Sequence, residues 1–286
     1  MPRRCRCSGS KPPSNGGPRS RDLLYGIKQF ECPEELRARH RPPAKDTELR
    51  LTESYRRHFF SQLPYHPDQA DIASEAGQAD LRQHLFERLE NDRNRVIPWI
   101  VDAAGPLLGK SVLEIGCGTG PSTVALAEQG AQLFACDEHE GSLRVAAERL
   151  ECYGLRAELK CMRAGEMFES IADRQFDLIA FLAVLEHMTL DERLKALSEA
   201  WVRIKPGGHL VIDETPNRLW YFDGHTSFEN FFLWLPDDLA ARYSGRTPRS
   251  RFNQLFNDAE HFDSTAFARW GRGVSYHDLV LALDIC

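Results

Sequence analysis

The stretch that decides the fold reads VLEIGCGTG over residues 112–120 and is followed by Pro121. Its apolar first half predicts a short buried strand over 111–115, and its glycines predict a turn that opens a helix. Such a turn lets a ligand approach the main chain and offers it the N-terminus of a helix. A dinucleotide-binding GxGxxG pattern would need a glycine at position 121, where a proline stands. The spacing therefore disfavours a dehydrogenase.

Working outward from this turn, predicted strands and helices alternate in a regular order. The following elements are predicted: helix 121–129, strand 131–136, helix 142–150, strand 157–162, strand 176–182, helix 190–204 and strand 209–213. A chain of this kind forms a parallel sheet with helices on both faces. The predicted fold class is α/β: a Rossmann-like, doubly wound, mostly parallel sheet with an N-terminal helical extension and an insert after the fifth strand.

The segments outside this core divide into four predicted parts. Residues 1–45 are basic and rich in proline, and we expect a disordered or poorly ordered tail rather than an organelle transit peptide. Residues 46–108 predict a helical extension, with a helix over 78–97 and a second piece from Pro98 to residue 104. Residues 109–286 form the ligand-binding domain. Within it the aromatic-rich segment 216–270 predicts a substrate lid, or else a segment packed on the sheet edge, and 273–283 predicts a strand.

Charge and composition exclude several classes of protein. The net charge is −6, but residues 1–50 carry a net +6, so the remaining body is strongly acidic. An acidic body disfavours a broad nucleic-acid partner, because such binding needs clustered positive charge. No run reaches the roughly 18 apolar residues of a membrane helix, so we expect no membrane partner. The eight cysteines include no CxxC pair, which favours a cytoplasmic protein with reduced thiols.

The motif VLEIGCGTG resembles the first motif of class I S-adenosylmethionine-dependent methyltransferases. The resemblance implies that S-adenosylmethionine is the cofactor, with Glu114 bordering the site and the main chain of the turn against the methionine part of the ligand (Gly116, Cys117, Gly118, Thr119, Gly120). It also implies that Asp137, at the end of the second strand, accepts hydrogen bonds from the two ribose hydroxyls.

Two further positions complete the cofactor site that the resemblance implies. The family often has an acid after the third strand that meets the adenine amino group, but this chain has Ala164 there. Glu166 or a main-chain group would then serve instead. Leu182 ends a fourth strand, beginning at Phe176, that also resembles the family's. The family usually ends in an antiparallel strand pair, of which only the strand at 273–283 can be placed.

The acceptor side should follow the fourth and fifth strands, because ligands bind at the carboxyl ends of parallel strands. His187 is the first candidate for a general base and His225 the second, with Glu186 beside them. The alternative to a catalytic role is a structural histidine whose ring is hydrogen-bonded to main chain. The residues around Glu186 and His187 resemble a metal-binding segment of ubiquinone-pathway and small-RNA 3′-end methyltransferases, but Ala183 replaces its first glutamate. A divalent metal on Glu186, His187 and His225 is therefore the weaker expectation, and no metal the stronger.

These features together predict an S-adenosylmethionine-dependent methyltransferase that acts on a hydroxyl of a small molecule or glycan. One alternative is a 2′-O-methyltransferase of RNA 3′ ends, which the metal-like segment favours and the acidic body disfavours. A second alternative is a protein that binds S-adenosylmethionine without transferring its methyl group. The oligomeric state stays open.

Overall fold

The core of the protein is one five-stranded parallel sheet in the order β3-β2-β1-β4-β5. The computed structural model describes residues 32–60, 72–171, 173–249, 252–253 and 263–284. The strands are β1 (Ser111–Ile115), β2 (Gln132–Asp137), β3 (Glu158–Cys161), β4 (Phe176–Leu182) and β5 (Ile204–Asp213). This is the predicted doubly wound α/β fold.

Helical segments surround this sheet and extend N-terminally from it. The α-helices of the described residues are α1 (Glu34–Arg37), α2 (Thr47–Ser54), α3 (Glu75–Arg82), α4 (Arg88–Asn91), α5 (Ile97–Ala104), α6 (Pro121–Glu128), α7 (Glu140–Cys152), α8 (Ala164–Ser170), α9 (Leu190–Val202), α10 (Asp237–Ser244), α11 (Ser264–Ala268) and α12 (Tyr276–Leu283). The π-helical turns are Tyr55–Phe59, Gln83–Glu87 and Asp92–Val96, and the 3-10 turns are Leu185–His187 and Phe232–Trp234.

The central strands are apolar on both faces because helices cover both. β1 pairs with β2 and β4, so that Val112 lies between Leu133 and Leu178. One face packs against α6, α7 and the N-terminal helices, and the other packs against α8, α9 and α12. Parallel strands buried in this way place all their carboxyl ends at one edge. That edge positions the candidate site.

The N-terminal helices form a nearly continuous rod from α3 through α5. Pro98 is the second residue of α5, which follows directly on the π-helical turn Asp92–Val96. The rod is tied to the sheet edge by Arg95, whose guanidinium contacts Asp213 and Glu214 at 2.9 Å each. The extension is therefore held across the carboxyl end of β5.

The part of the predicted tail that the structure describes packs against the domain. Leu36 is buried, Arg39 donates to the Gln129 carbonyl, and the Ala44 amide donates to the Cys152 carbonyl. Residues 32–45 are thus ordered, contrary to the expectation of a loose tail over 1–45, because these contacts satisfy their polar groups. Residues 1–31 lie outside the described part of the chain.

The prediction of a strand at 273–283 is wrong, because this segment contains helix α12. Ser275 and Asp278 form a capping box in which the Asp278 carboxylate accepts from the Ser275 amide at 2.8 Å. Leu279, Ala282 and Leu283 face the core at helical spacing. A short apolar run fits either periodicity, and the cap decides. No antiparallel strand pair ends the sheet in the described residues.

No helix of the described residues combines the length and apolar character that a membrane crossing requires.

Candidate functional site

A cavity of about 540 Å³ opens at the carboxyl edge of the sheet. Most of the predicted cofactor residues line it: Gly116, Cys117, Gly118, Thr119, Asp137, Glu166 and Leu182. Gly120 and Glu114 do not. Of the predicted acceptor-side residues, His187 lines the cavity, whereas Glu186 and His225 do not. The motifs found in the sequence therefore converge on one pocket.

The three glycines of the turn have different roles. A Cβ on Gly116 would lie 2.4 Å from the Val184 side chain, and one on Gly120 would lie 2.8 Å from Ala146. These two glycines let the turn pack against neighbouring elements. Gly118 also has a positive φ, but no atom lies within 4 Å of its missing Cβ, and it lines the cavity. Gly118 is therefore where a ligand can lie directly against the main chain.

Asp137 is held in a fixed orientation at the end of β2. One of its carboxylate oxygens accepts from the Gly118 amide and the other from the His139 amide, each at 2.9 Å. Burial raises the pKa of Asp137, and these two main-chain donors oppose the shift. Each oxygen keeps a lone pair for another donor. The carboxylate can therefore receive a pair of ribose hydroxyls without moving.

Glu114 lies beneath the glycine turn and does not line the cavity. Its carboxylate is 1% exposed and accepts hydrogen bonds from the hydroxyls of Ser122 and Thr123 in the first turn of α6. Burial raises the pKa of Glu114 to about 7, although both hydroxyls oppose the shift. This acid ties the start of α6 to β1 and so fixes the shape of the glycine turn.

The cavity is also lined by residues that follow β2 and β3. Glu166 lines it and also accepts a hydrogen bond from the Arg163 amide at 3.1 Å, as part of the N-terminal cap of α8. Helix α8 was not predicted. His139 lines the cavity too, and its Nδ1 accepts from the Ser142 amide at 3.0 Å. Its Nε2 therefore carries the proton of the neutral ring and can donate.

The acceptor side is built on a 3-10 turn after β4. His187 Nδ1 lies 2.8 Å from the Arg269 carbonyl, so the ring proton sits on Nδ1 and Nε2 is left as an acceptor. Glu186 is fully buried beside it, with Oε2 accepting from the Thr215 hydroxyl at 2.8 Å. Glu186 Oε1 lies 3.7 Å from His187 Nε2 and has no hydrogen-bond partner in the described structure. Burial raises the pKa of Glu186.

His225 is brought to this turn by a loop organised around Asp223. The buried Asp223 carboxylate accepts from the amides of His225, Thr226 and Ser227 at 2.8 to 3.1 Å. The His225 ring centroid lies 5.5 Å from that of His187. Burial lowers the pKa of His225 to about 4, so the ring is neutral at physiological pH. Sequence reasoning missed Asp223, although an Asp two residues before a histidine is a familiar turn signal.

Glu186, His187 and His225 have ligand atoms that lie within 4.8 Å of one another. The orphaned Glu186 Oε1 points to a cation, and one carboxylate with two imidazoles fits a first-row transition ion better than Mg²⁺, which prefers oxygen ligands. These three residues would hold the ion. The structure thus brings together the three residues that the metal hypothesis requires, although Ala183 replaces the first glutamate of the family's metal-binding segment.

One wall of the cavity comes from the N-terminal rod, which sequence reasoning did not assign to the site. His84, Arg88 and Asp92 recur at a spacing of four residues and line the cavity. The buried Arg149 of α7 fixes the rod against the turn, since its guanidinium donates to the carbonyls of Thr119, His84 and Leu85 at 2.6 to 2.9 Å. These contacts join positions far apart in the sequence, so no local pattern reveals them.

The sequence from β1 into β5 matches a known family. Residues 112–208 match a family described as a methyltransferase domain. These residues form a class I S-adenosylmethionine-dependent methyltransferase domain. The cavity of this methyltransferase domain lies where the cofactor motif, Asp137 and the β3–α8 turn meet.

Curated relatives of this methyltransferase domain include two ubiquinone biosynthesis O-methyltransferases. The chain is 35% identical to that of Idiomarina loihiensis over 46% of this chain and 53% of the relative. It is 34% identical to that of Stutzerimonas stutzeri over 48% of this chain and 57% of the relative. The chain thus spans about half the length of the curated relatives it matches.

One similar solved structure is the magnesium protoporphyrin IX methyltransferase of Synechocystis. It is 22% identical, with a TM-score of 0.41, over 61% of this chain and 79% of that chain.

Proposed function

We propose that this protein transfers the methyl group of S-adenosylmethionine to a hydroxyl of a small molecule or glycan. The observation that carries the proposal is that Gly118, Asp137 and His187 all line one cavity. A methyl donor held at the glycine turn and a hydroxyl held at His187 would share that space. The two relatives named above are O-methyltransferases, which favours oxygen as the acceptor atom.

Bound S-adenosylmethionine supplies an activated methyl group on a cationic sulfur. The protein's residues then need to position the acceptor and remove its proton. As the acceptor oxygen bonds to the methyl carbon, the bond from carbon to sulfur breaks and its electron pair stays on sulfur. Positioning two reactants in line lowers the barrier by several kcal/mol, on the order of 7 or more in favourable cases.

His187 is the proposed base for the hydroxyl proton. Its Nδ1 proton is held by the Arg269 carbonyl, which leaves the lone pair of Nε2 as the acceptor. Glu186 stabilises the imidazolium that forms, because its buried Oε1 lies 3.7 Å from the same nitrogen. Arg269 is itself fixed by an ion pair with Glu192 at 2.5 Å. The base is therefore held in one tautomer and one orientation.

Transfer of labelled methyl from S-adenosylmethionine to panels of sugars, phenols and short RNAs tests this proposal. On an accepted substrate, His187→Gln should lower kcat about 100-fold or more, the range of general-base catalysis. His277→Gln is the matched control, because His277 is exposed and lies on α12 away from the cavity. Equal rates for wild type and His187→Gln would refute the role of His187 as base.

A second candidate is the methylation of a 2′-hydroxyl at an RNA 3′ end, which the Glu186, His187 and His225 cluster favours. A divalent ion held there would supply positive charge beside the acceptor hydroxyl. Enzyme treated with EDTA separates the two candidates. Undiminished activity on a small hydroxyl substrate supports the first, whereas lost activity that Mn²⁺ or Zn²⁺ restores on RNA supports the second.

A further inference from the structure

We propose that an exposed aromatic platform after β5 holds a glycan chain, one hydroxyl of which is methylated in the cavity. The platform consists of four side chains: Trp220, Tyr221, Phe231 and Trp234. The inference rests on the proposed function and deepens it, because it selects a chain of sugars over a single small molecule as the acceptor.

The four rings of the platform form one continuous surface. The ring centroids of Trp220 and Tyr221 lie 5.3 Å apart, and those of Tyr221 and Phe231 lie 6.3 Å apart. Phe231 in turn lies 4.8 Å from Trp234. The four residues are between 41% and 54% exposed. Single exposed aromatics are ordinary on a protein surface, whereas a contiguous patch of them marks a binding surface.

The loop beneath the platform holds the rings in place. Phe222 and Asn230 form an antiparallel bridge, and the Phe231 amide donates to the Tyr221 carbonyl. Phe231 has a φ of 61°, in the left-handed region that bulky side chains avoid. With this backbone Phe231 lies at the surface, while the next residue, Phe232, is buried in the core. Strain of this kind persists at binding sites, where the surrounding structure maintains it.

The loop that supports the platform also carries His225. The Asp223 amide donates to the Glu229 carbonyl at 3.0 Å and closes the loop, and the Asp223 carboxylate accepts from the His225 amide at 3.1 Å. The His225 ring centroid lies 5.5 Å from that of His187, which lines the cavity. One short loop therefore connects the platform to the proposed base, so an extended acceptor can contact both.

The side chains of the platform suit a carbohydrate. A sugar ring presents C–H groups on its faces and hydroxyls at its edges. An exposed aromatic ring packs against such a face, and tryptophan and tyrosine add a polar atom that can bind a hydroxyl. Two exposed amides, Asn217 and Asn230, stand close to the rings in the chain and can form further hydrogen bonds with hydroxyls.

The charges around the platform disfavour an anionic partner. Residues 216–247 contain three arginines and four acids, a net charge of −1 with histidine neutral. Arg218 and Arg272 both contact Asp237, at 3.8 and 3.0 Å, so their positive charges are compensated. Anionic lipids and nucleic acids bind through clustered positive charge, which these residues do not provide. The charge balance therefore favours a neutral, hydroxylated chain.

Calorimetry with neutral hexasaccharides of glucose, mannose, galactose and N-acetylglucosamine tests the proposal on the full chain. At least one of them should bind the wild type saturably, and the corresponding monosaccharide should bind about tenfold more weakly, because one sugar covers only part of the platform. Trp220→Ala and Trp234→Ala should each weaken that hexasaccharide about fivefold or more and leave S-adenosylhomocysteine binding unchanged.

Trp201→Ala is the matched control, because Trp201 is 46% exposed but lies on α9, outside the platform. This variant should bind the hexasaccharide as the wild type does. Equal weakening by Trp201→Ala would overturn the proposal, as would unchanged hexasaccharide affinity in both platform variants. Wild type that binds S-adenosylhomocysteine but none of the hexasaccharides would overturn this proposal alone, whereas wild type that does not bind S-adenosylhomocysteine would overturn the proposed function.

Two further measurements separate the other occupants of the platform. Sedimentation with vesicles of phosphatidylcholine and phosphatidylglycerol detects a membrane surface, and equilibrium ultracentrifugation detects a second copy of the chain. Vesicle binding or self-association that Trp220→Ala and Trp234→Ala both abolish, without binding of any hexasaccharide, would assign the platform to that occupant and overturn the glycan.

Discussion

Glu114 should contribute to the free energy of unfolding at low pH and lose that contribution as the pH rises. Burial raises its pKa from 4.5 to about 7, so the folded state binds the proton more tightly than the unfolded chain does. This contribution to stability is fully present below about pH 4.5 and is lost as the pH rises through about 7. At roughly 1.4 kcal/mol per pKa unit, the loss amounts to about 3 kcal/mol.

The variant Glu114→Gln isolates this effect, because the amide has the shape of the protonated acid and does not ionise. The free energy of unfolding should match the wild type near pH 4.5 and exceed it by about 3 kcal/mol near pH 8. Urea unfolding followed by tryptophan fluorescence at several pH values measures the difference. Glu87→Gln, at an exposed position, should show no such trend.

A difference between Glu114→Gln and wild type that stays constant from pH 4.5 to 8 would refute this reasoning. It would mean that Glu114 has an ordinary pKa and is not desolvated beneath the turn.

Three other residues give predictions with separate measurements. Asp137→Ala should weaken S-adenosylhomocysteine binding about tenfold or more in calorimetry, because two hydrogen bonds to a charged group are lost; an unchanged affinity would exclude the ribose role. Arg149→Met should lower the free energy of unfolding, measured in urea, by about 3–5 kcal/mol, because three carbonyls lose their hydrogen-bond donor. A decrease in the free energy of unfolding of less than about 1 kcal/mol would contradict this prediction. Asp223→Ala should lower both the thermal unfolding midpoint and the methyl-transfer rate, because the loop that carries His225 loses three hydrogen bonds to the Asp223 carboxylate. Unchanged values of both would show that the loop does not depend on Asp223.

The sequence was most informative where structure depends on neighbouring residues. The strand, glycine turn and helix around residues 112–128 form as predicted, since apolar periodicity and Pro121 act over a few positions. Asp137 lies in the cavity because it follows directly from the end of a strand. The resemblance implied that Glu114 borders the cofactor site, whereas in the structure Glu114 does not line the cavity and its partners are hydroxyls of α6.

Sequence reasoning failed where a short apolar run fits two periodicities or where contacts join distant positions. Helix α12 was predicted as a strand because its cap at Ser275 and Asp278 was not recognised. The rod residues Arg88 and Asp92 reach the cavity through tertiary packing, in which Arg149 connects segments more than sixty residues apart. No local pattern encodes such a contact.

The central claim is that the cavity at the carboxyl edge of the sheet binds S-adenosylmethionine. Titration of the full chain with S-adenosylhomocysteine in a calorimeter tests it most directly. We expect saturable binding with one site per chain and a dissociation constant in the micromolar range, or about −8 kcal/mol. A chain that is folded by circular dichroism and releases no heat with S-adenosylhomocysteine at millimolar concentration would contradict the account.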